Sequence, residues 1–150
     1  MNDLTPVRFS GIPNVVKDYL VGSDKIFIVP VGKFYYVWAI AADLTASAVV
    51  GNRVFRVQHR DGTGAVLYQG PSSTVLTATQ AQSVYMGHGE SYSTASRRGP
   101  SDRAPTNSVS SGMPVLFMDS PDYIRIYDAA AIDPAADEVN YVIYYWEVNK

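Results

Sequence analysis

Apolar residues along this chain recur at every second position in short runs, and turn residues separate the runs. In 52–60, for example, Phe55 and Val57 share one face with Arg53 and His59. A period of two is typical of a β-strand, whose successive side chains point to opposite faces. The strands that this pattern predicts are 25–29, 34–43, 52–60, 65–69, 72–80, 82–86, 115–118, 123–128 and 139–148.

Turn signals lie between these strands. Pro30 and Gly32 have the backbone preferences that a tight turn uses, and the sequence DGTG at 61–64 is a strong hairpin signal. No stretch has the 3.6-residue period of an amphipathic helix of normal length. The chain has 19 Val and 11 Tyr but only 6 Leu and 3 Glu, and β-branched and aromatic side chains suit a pleated surface. We therefore predict an all-β fold, an antiparallel and jelly-roll-like β-sandwich.

Two segments depart from this pattern. Residues 1–24 are expected to form an extended N-terminal arm before a single β-sandwich domain over 25–150, and 14–20 is expected to form at most a short helical turn. Such an arm docks on its own domain or on a neighbouring subunit. Residues 87–112 are rich in Ser, Gly and Pro and predict one long polar loop. A loop of this length inside a compact domain is typically functional or disordered.

The charge and the cysteine content limit which classes of binding partner and which redox compartment we expect. The formal net charge is −2, which predicts no general attraction to nucleic acid or to anionic membranes. The chain has no Cys, which excludes disulfides and thiolate metal sites and fits a reducing cytosol. Its start lacks the apolar core of a signal peptide, and no run reaches the roughly 18 apolar residues of a membrane span. Neither nucleic acid nor a membrane is therefore an expected partner.

Candidate catalytic and metal-binding residues are few. His88 and Glu90 form a pair that could bind a metal or transfer protons, but a zinc site needs three or four ligands and the sequence offers no third candidate. His59 follows the strand alternation and is interpreted as a packed or surface residue. The sequence has no serine-hydrolase elbow, phosphate-binding loop, dinucleotide fingerprint or EF-hand pattern.

Carboxylates and arginines supply two further candidates. The pairs Asp119/Asp122 and Asp133/Asp137 could act as glycosidase carboxylates or Ca²⁺ ligands, but each lies beside a proline in a turn, where Asp binds local backbone amides. We predict no catalytic set, no cofactor and no metal, and hence a protein that is not an enzyme. The long loop carries the one basic cluster, whose members are candidates for contact with a phosphate, a glycan or an acidic protein surface: Arg97, Arg98 and Arg103.

The aromatic runs at 34–38 and 141–146 carry the strongest functional indication. Consecutive residues of a strand point to opposite faces, so Tyr35 and Tyr36 cannot both enter one core. Rings on outward faces favour protein–protein contact, because Tyr and Trp bury a large area and keep a polar tip. A covering layer from the N-terminal arm and a tyrosine-lined sugar cleft are the alternatives. The protein-contact candidates are Phe9, Tyr19, Tyr35, Tyr36, Trp38, Tyr141 and Tyr145.

Several motifs resemble those of small β-sandwich proteins in the virions of tailed bacteriophages. In those proteins a strand ends in VP-x-GK, an aromatic and aliphatic strand follows, a loop of small residues leads to GNR, and a hairpin turns at DG. A strand after Ser120-Pro121 and the closing YYWEV are also similar to theirs. The residues of this chain that correspond to the first four motifs are 29–33, 34–42, 51–53 and 61–62.

Within that group, a chain of this length resembles the capsid decoration, or cement, proteins. The resemblance implies a structural protein that binds the outer shell, joins subunits of the major capsid protein and acts as a homo-oligomer, with a trimer as the favoured form. It also implies a location on the capsid surface after synthesis in the bacterial host cytoplasm. Another virion position, such as a head–tail joint or a tail or fibre base, and a carbohydrate-binding jelly roll are the alternatives.

Overall fold

The computed structural model describes residues 13–70, 75–88 and 107–150, which form ten β-strands. No helix among these residues is long and apolar enough to cross a bilayer. The strands are β1 (Asn14–Asp18), β2 (Asp24–Ile28), β3 (Lys33–Thr45), β4 (Phe55–Arg60), β5 (Val66–Gln69), β6 (Ala81–Gly87), β7 (Asn107–Gly112), β8 (Leu116–Asp119), β9 (Tyr123–Asp128) and β10 (Glu138–Asn149).

The strands form two sheets that pack face to face. The six-stranded sheet has the order β1-β10-β3-β6-β7, and β8 also pairs with β3. The four-stranded sheet has the order β2-β9-β4-β5. Every pairing between described strands is antiparallel except that of β6 with β7, which is parallel. The predicted all-β sandwich is therefore confirmed.

The core lies between the two sheets. Val37 and Ile143 of the six-stranded sheet and Phe55 and Ile124 of the four-stranded sheet are at most 1% exposed. All four belong to a single cluster of buried apolar side chains. Burying one such side chain contributes about 1.5–3 kcal/mol, so this shared cluster is what holds the sheets together.

A bulge in β3 decides which of its rings face this core. Tyr145 of β10 pairs with Val37, and the neighbouring Tyr144 pairs with Ala39. Trp38 has no partner in β10 and is the extra residue of the bulge. A bulge inserts one residue and so reverses the alternation of the strand beyond it. Tyr35 and Val37 therefore face the core before the bulge, whereas Ile40 faces the core after it.

The predicted DGTG hairpin is confirmed as the connection between β4 and β5. Asp61 Oδ1 accepts hydrogen bonds from the amides of Thr63 and Ala65, both at 2.9 Å, and the Gly64 amide donates to the Asp61 carbonyl at 3.0 Å. The Thr63 hydroxyl also donates to Asp61, and together these bonds hold the pKa of Asp61 below its ordinary value. The turn is thus closed by local bonds of the kind that Asp forms in turns.

The predicted polar strand 72–80 is wrong where the structure describes it. This part makes one isolated bridge, between Leu76 and Arg53, and then turns. The Gln80 amide donates to the Thr77 carbonyl at 3.3 Å, and the Gln80 side chain accepts from the Thr77 amide at 2.9 Å. Leu76 is the one residue of this part that packs in the core, and local hydrogen bonds of the polar residues around it compete successfully with the sheet.

Part of the predicted N-terminal arm is a strand of the sandwich. The short helical turn expected at 14–20 is wrong, because Asn14–Asp18 forms β1 and pairs along its whole length with β10. The two β-branched residues Val15 and Val16 favour an extended backbone, and Val16 packs against the core. Residues 1–12, which include Phe9, lie outside the described residues.

Part of the predicted polar loop 87–112 is also a strand. Asn107–Gly112 forms β7 and pairs with Gln82 to Gly87 of β6. A β-ladder is made of backbone hydrogen bonds, which need no apolar side chain, so this Ser-rich sequence carries no strand signal. The rest of the loop, 89–106, lies outside the described residues, as do the three arginines of the basic cluster: Arg97, Arg98 and Arg103.

Candidate functional site

Three of the predicted contact tyrosines face the core instead of a partner. Tyr35 and Tyr141 are buried, and Tyr145 is half-buried against the core cluster. The Tyr35 ring stacks on Phe27 of the four-stranded sheet, with centroids 5.4 Å apart, and lies 4.5 Å from the Tyr145 ring. These rings therefore join the two sheets. Burial raises the pKa of Tyr35, with smaller contributions from Tyr145 and Glu147, so its hydroxyl stays neutral at physiological pH.

The remaining rings of these strands form an aromatic band on the outer face of the six-stranded sheet. Trp38 lies 5.3 Å from Tyr144 and 5.8 Å from Trp146, and Tyr36 meets Phe117 edge-on at 5.0 Å between ring centroids. Phe117 is 67% exposed, and the other four are half-buried. Of the predicted contact residues, Tyr36 and Trp38 thus point outward. The aromatic band consists of Tyr36, Trp38, Phe117, Tyr144 and Trp146.

A second apolar surface lies along one side of the sandwich. Here β1 ends the six-stranded sheet, β2 ends the four-stranded sheet, and a short crossover joins them. Of the fifteen large hydrophobic residues that are exposed in the described part, six lie between residues 19 and 31. Apolar residues clustered on a monomer's surface mark an interaction site. This apolar side consists of Tyr19, Leu20, Val21, Ile26, Ile28 and Val31.

Tyr19 is the one residue of this apolar side that was predicted from the sequence. A weaker signal was present in β2, where Phe27 faces the core while Ile26 and Ile28 face outward. The same run of apolar residues is expected of a strand that is buried on both faces. Only the sheet order, which puts β2 at an edge, exposes the two isoleucines.

A buried lysine holds the crossover between β1 and β2. Lys25 Nζ donates to Asp18 Oδ1 at 2.9 Å and to the Leu20 carbonyl at 2.6 Å. The Leu20 amide also donates to Asp18 Oδ1 at 2.9 Å. Burial opposes ionisation of Asp18, but these bonds outweigh it and lower the pKa of Asp18. Leu20 and Val21 are therefore presented from a fixed backbone, which reduces the entropy lost on binding.

A buried ion pair joins two loops elsewhere in the sandwich. Arg53 and Asp137 are both fully buried. Arg53 Nε and Nη2 donate to the Asp137 carboxylate at 3.1 and 3.2 Å, and Nη1 donates to the carbonyls of Val49 and Gly51 at 2.7 and 2.8 Å. Because these N–H groups donate to oxygens of the protein itself, Arg53 has a structural role rather than a ligand-binding one.

The other polar candidates are also engaged in structural bonds. Asp133 accepts a hydrogen bond from the Ser47 hydroxyl at 2.7 Å. Asp122 Oδ2 accepts one from the Asp119 amide at 3.2 Å and lies 3.3 Å from Nε2 of the buried His59. In the described ranges, no group of three or more His, Cys, Asp or Glu side chains could hold a metal ion.

The described residues thus offer two apolar surfaces on a fixed framework, and their charged groups hold that framework together. Comparisons with protein-family models, with curated proteins and with solved structures find no match to this chain. The two surfaces, the aromatic band on one outer face and the apolar side along one edge of the sandwich, are therefore the features that bear on function.

Proposed function

We propose that this protein is a structural component of a tailed-bacteriophage virion, a capsid decoration protein that binds the outer shell and stabilises contacts between subunits of the major capsid protein. It acts by burying surface and not by transforming a molecule. Shell stabilisation of this kind needs a stiff body and complementary surfaces, because the contacts must be broken before a joint between capsid subunits opens.

The observation that carries this proposal is that the sandwich has two separate apolar surfaces. A protein that stabilises the contact between two capsid subunits must bind both of them, so it needs more than one binding surface. The aromatic band lies on β3, β8 and β10 of the six-stranded sheet, whereas Ile26 and Ile28 of the apolar side lie on β2, at the edge of the four-stranded sheet. The two surfaces are therefore available to different partners.

The size of the apolar side matches this role. Fully burying one Val, Leu or Ile side chain contributes about 1.5–3 kcal/mol. Forming a complex costs about 4–15 kcal/mol in lost translational and rotational freedom. The free energy gained by burying one exposed side chain is thus too small to offset this cost. Burying the six side chains of the apolar side would contribute more than the lower values of that cost range.

The motif residues that resemble phage proteins have structural roles in this chain, which supports a shared scaffold. The Lys33 amide closes the Pro30–Lys33 turn by donating to the Pro30 carbonyl at 3.2 Å, and Lys33 Nζ donates to Glu147 at 2.6 Å. Arg53, the last residue of the GNR motif, forms the buried ion pair with Asp137. The resemblance therefore concerns the framework, and the proposed attachment to a capsid rests on the exposed surfaces.

Two alternative functions are compatible with the same two surfaces. A head–tail joint or a tail or fibre base protein would need the same adhesive sandwich, and its copy number in the particle separates it from a decoration protein. A carbohydrate-binding jelly roll is suggested by the tryptophans of the aromatic band. Stacking on a sugar needs an open ring face, and Trp38 and Trp146 pack on each other at 5.8 Å and are half-buried.

Substitution of Phe117 by Asp tests the shell contact. We expect the variant to bind capsids that lack the protein at least about tenfold more weakly than the wild type, because a charge at the centre of an apolar contact must be desolvated. Binding is measured by co-sedimentation with the capsids. The temperature at which the capsids open should rise when the wild-type protein is added and rise less with the variant.

The control is Val50→Asp, which places the same charge on an exposed apolar residue outside both surfaces; Val50 is 89% exposed and Phe117 67%. This variant should bind like the wild type. Capsids that open at one temperature with and without the wild-type protein would contradict the proposed stabilising role.

A further inference from the structure

The edge strand β2 offers unused backbone hydrogen bonds within the apolar side. Among the described strands, β2 pairs only with β9. The Asp128 amide donates to the Ser23 carbonyl and the Val29 amide donates to the Asp122 carbonyl, both at 3.0 Å. Because hydrogen-bonded residues alternate along an antiparallel pair, the odd-numbered residues of β2 bond to β9. The amides and carbonyls of its even-numbered residues, such as Ile26, therefore point away from the sheet.

Two other described sheet edges, β1 and β5, carry features that hinder pairing with a further strand. Natural proteins protect edges with charged residues, very short strands and bulges. On β1, Lys17 and Asp18 are charged neighbours at the end of the strand. β5 has only four residues, and its register with β4 is irregular at His59/Arg60. β2 has no bulge, and Ile26 and Ile28 are exposed. Its two charged residues are already paired within the chain, Asp24 with Arg125 and the buried Lys25 with Asp18.

We propose that a second copy of this chain binds at β2. The two β2 strands pair antiparallel across a two-fold axis and join two four-stranded sheets into one sheet of eight strands. The free backbone groups of Asp24, Ile26 and Ile28 form the ladder, which contains about six hydrogen bonds because each of three residue pairs exchanges two. This dimer forms without a capsid, so an experiment that disproves the dimer does not disprove the proposed virion role, and the reverse is also true.

The two-fold axis passes between the Ile26 residues of the two copies. With this register, Ile26 lies directly opposite Ile26 of the second copy, and Ile28 lies opposite Asp24. Val21 and Val31 lie beyond the two ends of the ladder, Val21 in the crossover to β1 and Val31 in the turn to β3. The ladder itself covers Ile26 and Ile28, which are 56% and 54% exposed in the single chain.

Self-complementarity is the reason to assign this edge to a second copy. An isologous contact requires that one surface patch match itself after a two-fold rotation. Here the centre is apolar on apolar, and each Asp24 lies beside an isoleucine instead of another carboxylate. Like charges directly opposite each other would destabilise the pair, and this register has none. The proposed contact replaces the trimer that the family resemblance favoured with a two-fold dimer.

The mass of the purified full-length protein tests the pairing. Sedimentation velocity at micromolar concentration should give twice the chain mass of 16.4 kDa. Ile26→Lys places two ammonium groups opposite each other and should raise the dissociation constant at least about tenfold, which is 1.4 kcal/mol. The control is Leu67→Lys on β5, the opposite edge of the same sheet. Leu67 and Ile26 are equally exposed, at 56%, and the control should stay dimeric.

Mixing the Ile26→Lys and Ile26→Glu variants separates a lost contact from a folding defect. Each variant alone should be monomeric and still unfold in a single cooperative transition, at a melting temperature somewhat below that of the dimeric wild type. Their mixture should regain the dimer, because opposite charges then meet across the axis. Failure of the mixture to regain the dimer would overturn this register.

Cysteine cross-linking tests the register in a chain that has no natural Cys. A hydrogen-bonded antiparallel pair has Cα atoms about 5.5 Å apart, which is within the disulfide range. Oxidised Ile26→Cys should therefore form a covalent dimer. Ile28→Cys is the control on the same face, because its two copies are four residues out of register, about 13 Å apart along the strands. A monomeric or trimeric wild type, or cross-linking at 28 in preference to 26, would overturn the proposal.

Discussion

Replacing Arg53 with methionine is expected to destabilise the folded chain by about 3–5 kcal/mol, the cost of leaving one partner of a buried ion pair alone. The Asp137 carboxylate would stay buried without its counter-ion. The carbonyls of Val49 and Gly51 would lose their donor as well. The loss is measured as the change in the free energy of unfolding in urea at neutral pH.

Two controls assign this effect to the buried pair. Arg125→Met removes an ion pair with Asp24 that is exposed to solvent, and it should cost only about 0–1 kcal/mol. The double variant Arg53→Met/Asp137→Leu replaces both charges with apolar groups and should be more stable than Arg53→Met alone. If Arg53→Met cost no more than Arg125→Met, the Arg53–Asp137 pair would not hold the two loops.

Lowering the pH should weaken the ion pair between Arg53 and Asp137. Burial alone would raise the pKa of Asp137, but the hydrogen bonds from Arg53 and from the Ser47 amide outweigh it and hold that pKa below its ordinary value. The ordinary value for Asp is about 3.9. A carboxyl with a lowered folded pKa stabilises the fold above the unfolded pKa, and this stability is lost as pH falls through the folded pKa. Unfolding free energy should thus fall below about pH 4, and less steeply in Asp137→Asn.

Replacing Tyr35 with alanine should have an effect of similar size, about 3–5 kcal/mol, because truncating a buried aromatic side chain leaves a cavity. The variant loses the ring contacts with Phe27 at 5.4 Å and with Tyr145 at 4.5 Å. The contact with Phe27 joins the two sheets, so part of the loss falls on the packing of one sheet against the other. The free energy of unfolding is again the measured quantity.

Tyr19→Ala is the matched control for Tyr35→Ala, since it truncates the same side chain on the apolar side, where Tyr19 is 51% exposed. Surface substitutions change stability by about 0.5 kcal/mol or less. A Tyr35→Ala variant as stable as Tyr19→Ala would contradict the inward orientation of Tyr35 and the bulge that produces it.

The strands were predictable wherever apolar and polar residues alternate clearly, as in 123–128 and 139–148. These two predictions match β9 and most of β10. β1 and β7 were missed because each is held at an edge of the six-stranded sheet by a partner strand. Their own sequences are short or Ser-rich, and the stabilising partner lies far away in the sequence.

The inward or outward direction of the rings was only half predictable. Alternation requires Tyr35 and Tyr36 to point oppositely, and they do, but it does not say which one enters the core. The bulge at Trp38 then reverses the alternation along β3, and it becomes visible only when β3 is paired with β10. The apolar side was harder still, because exposure of Ile26 follows from the position of β2 in its sheet.

Copy number in the particle tests the central claim most directly. If the proposed role holds, quantitative mass spectrometry on purified virions that contain this chain would measure its molar ratio to the major capsid protein. Our account predicts a fixed ratio set by the icosahedral shell, far above that of any tail component. A chain absent from the virions, or present at the ratio of a tail protein, would contradict the account.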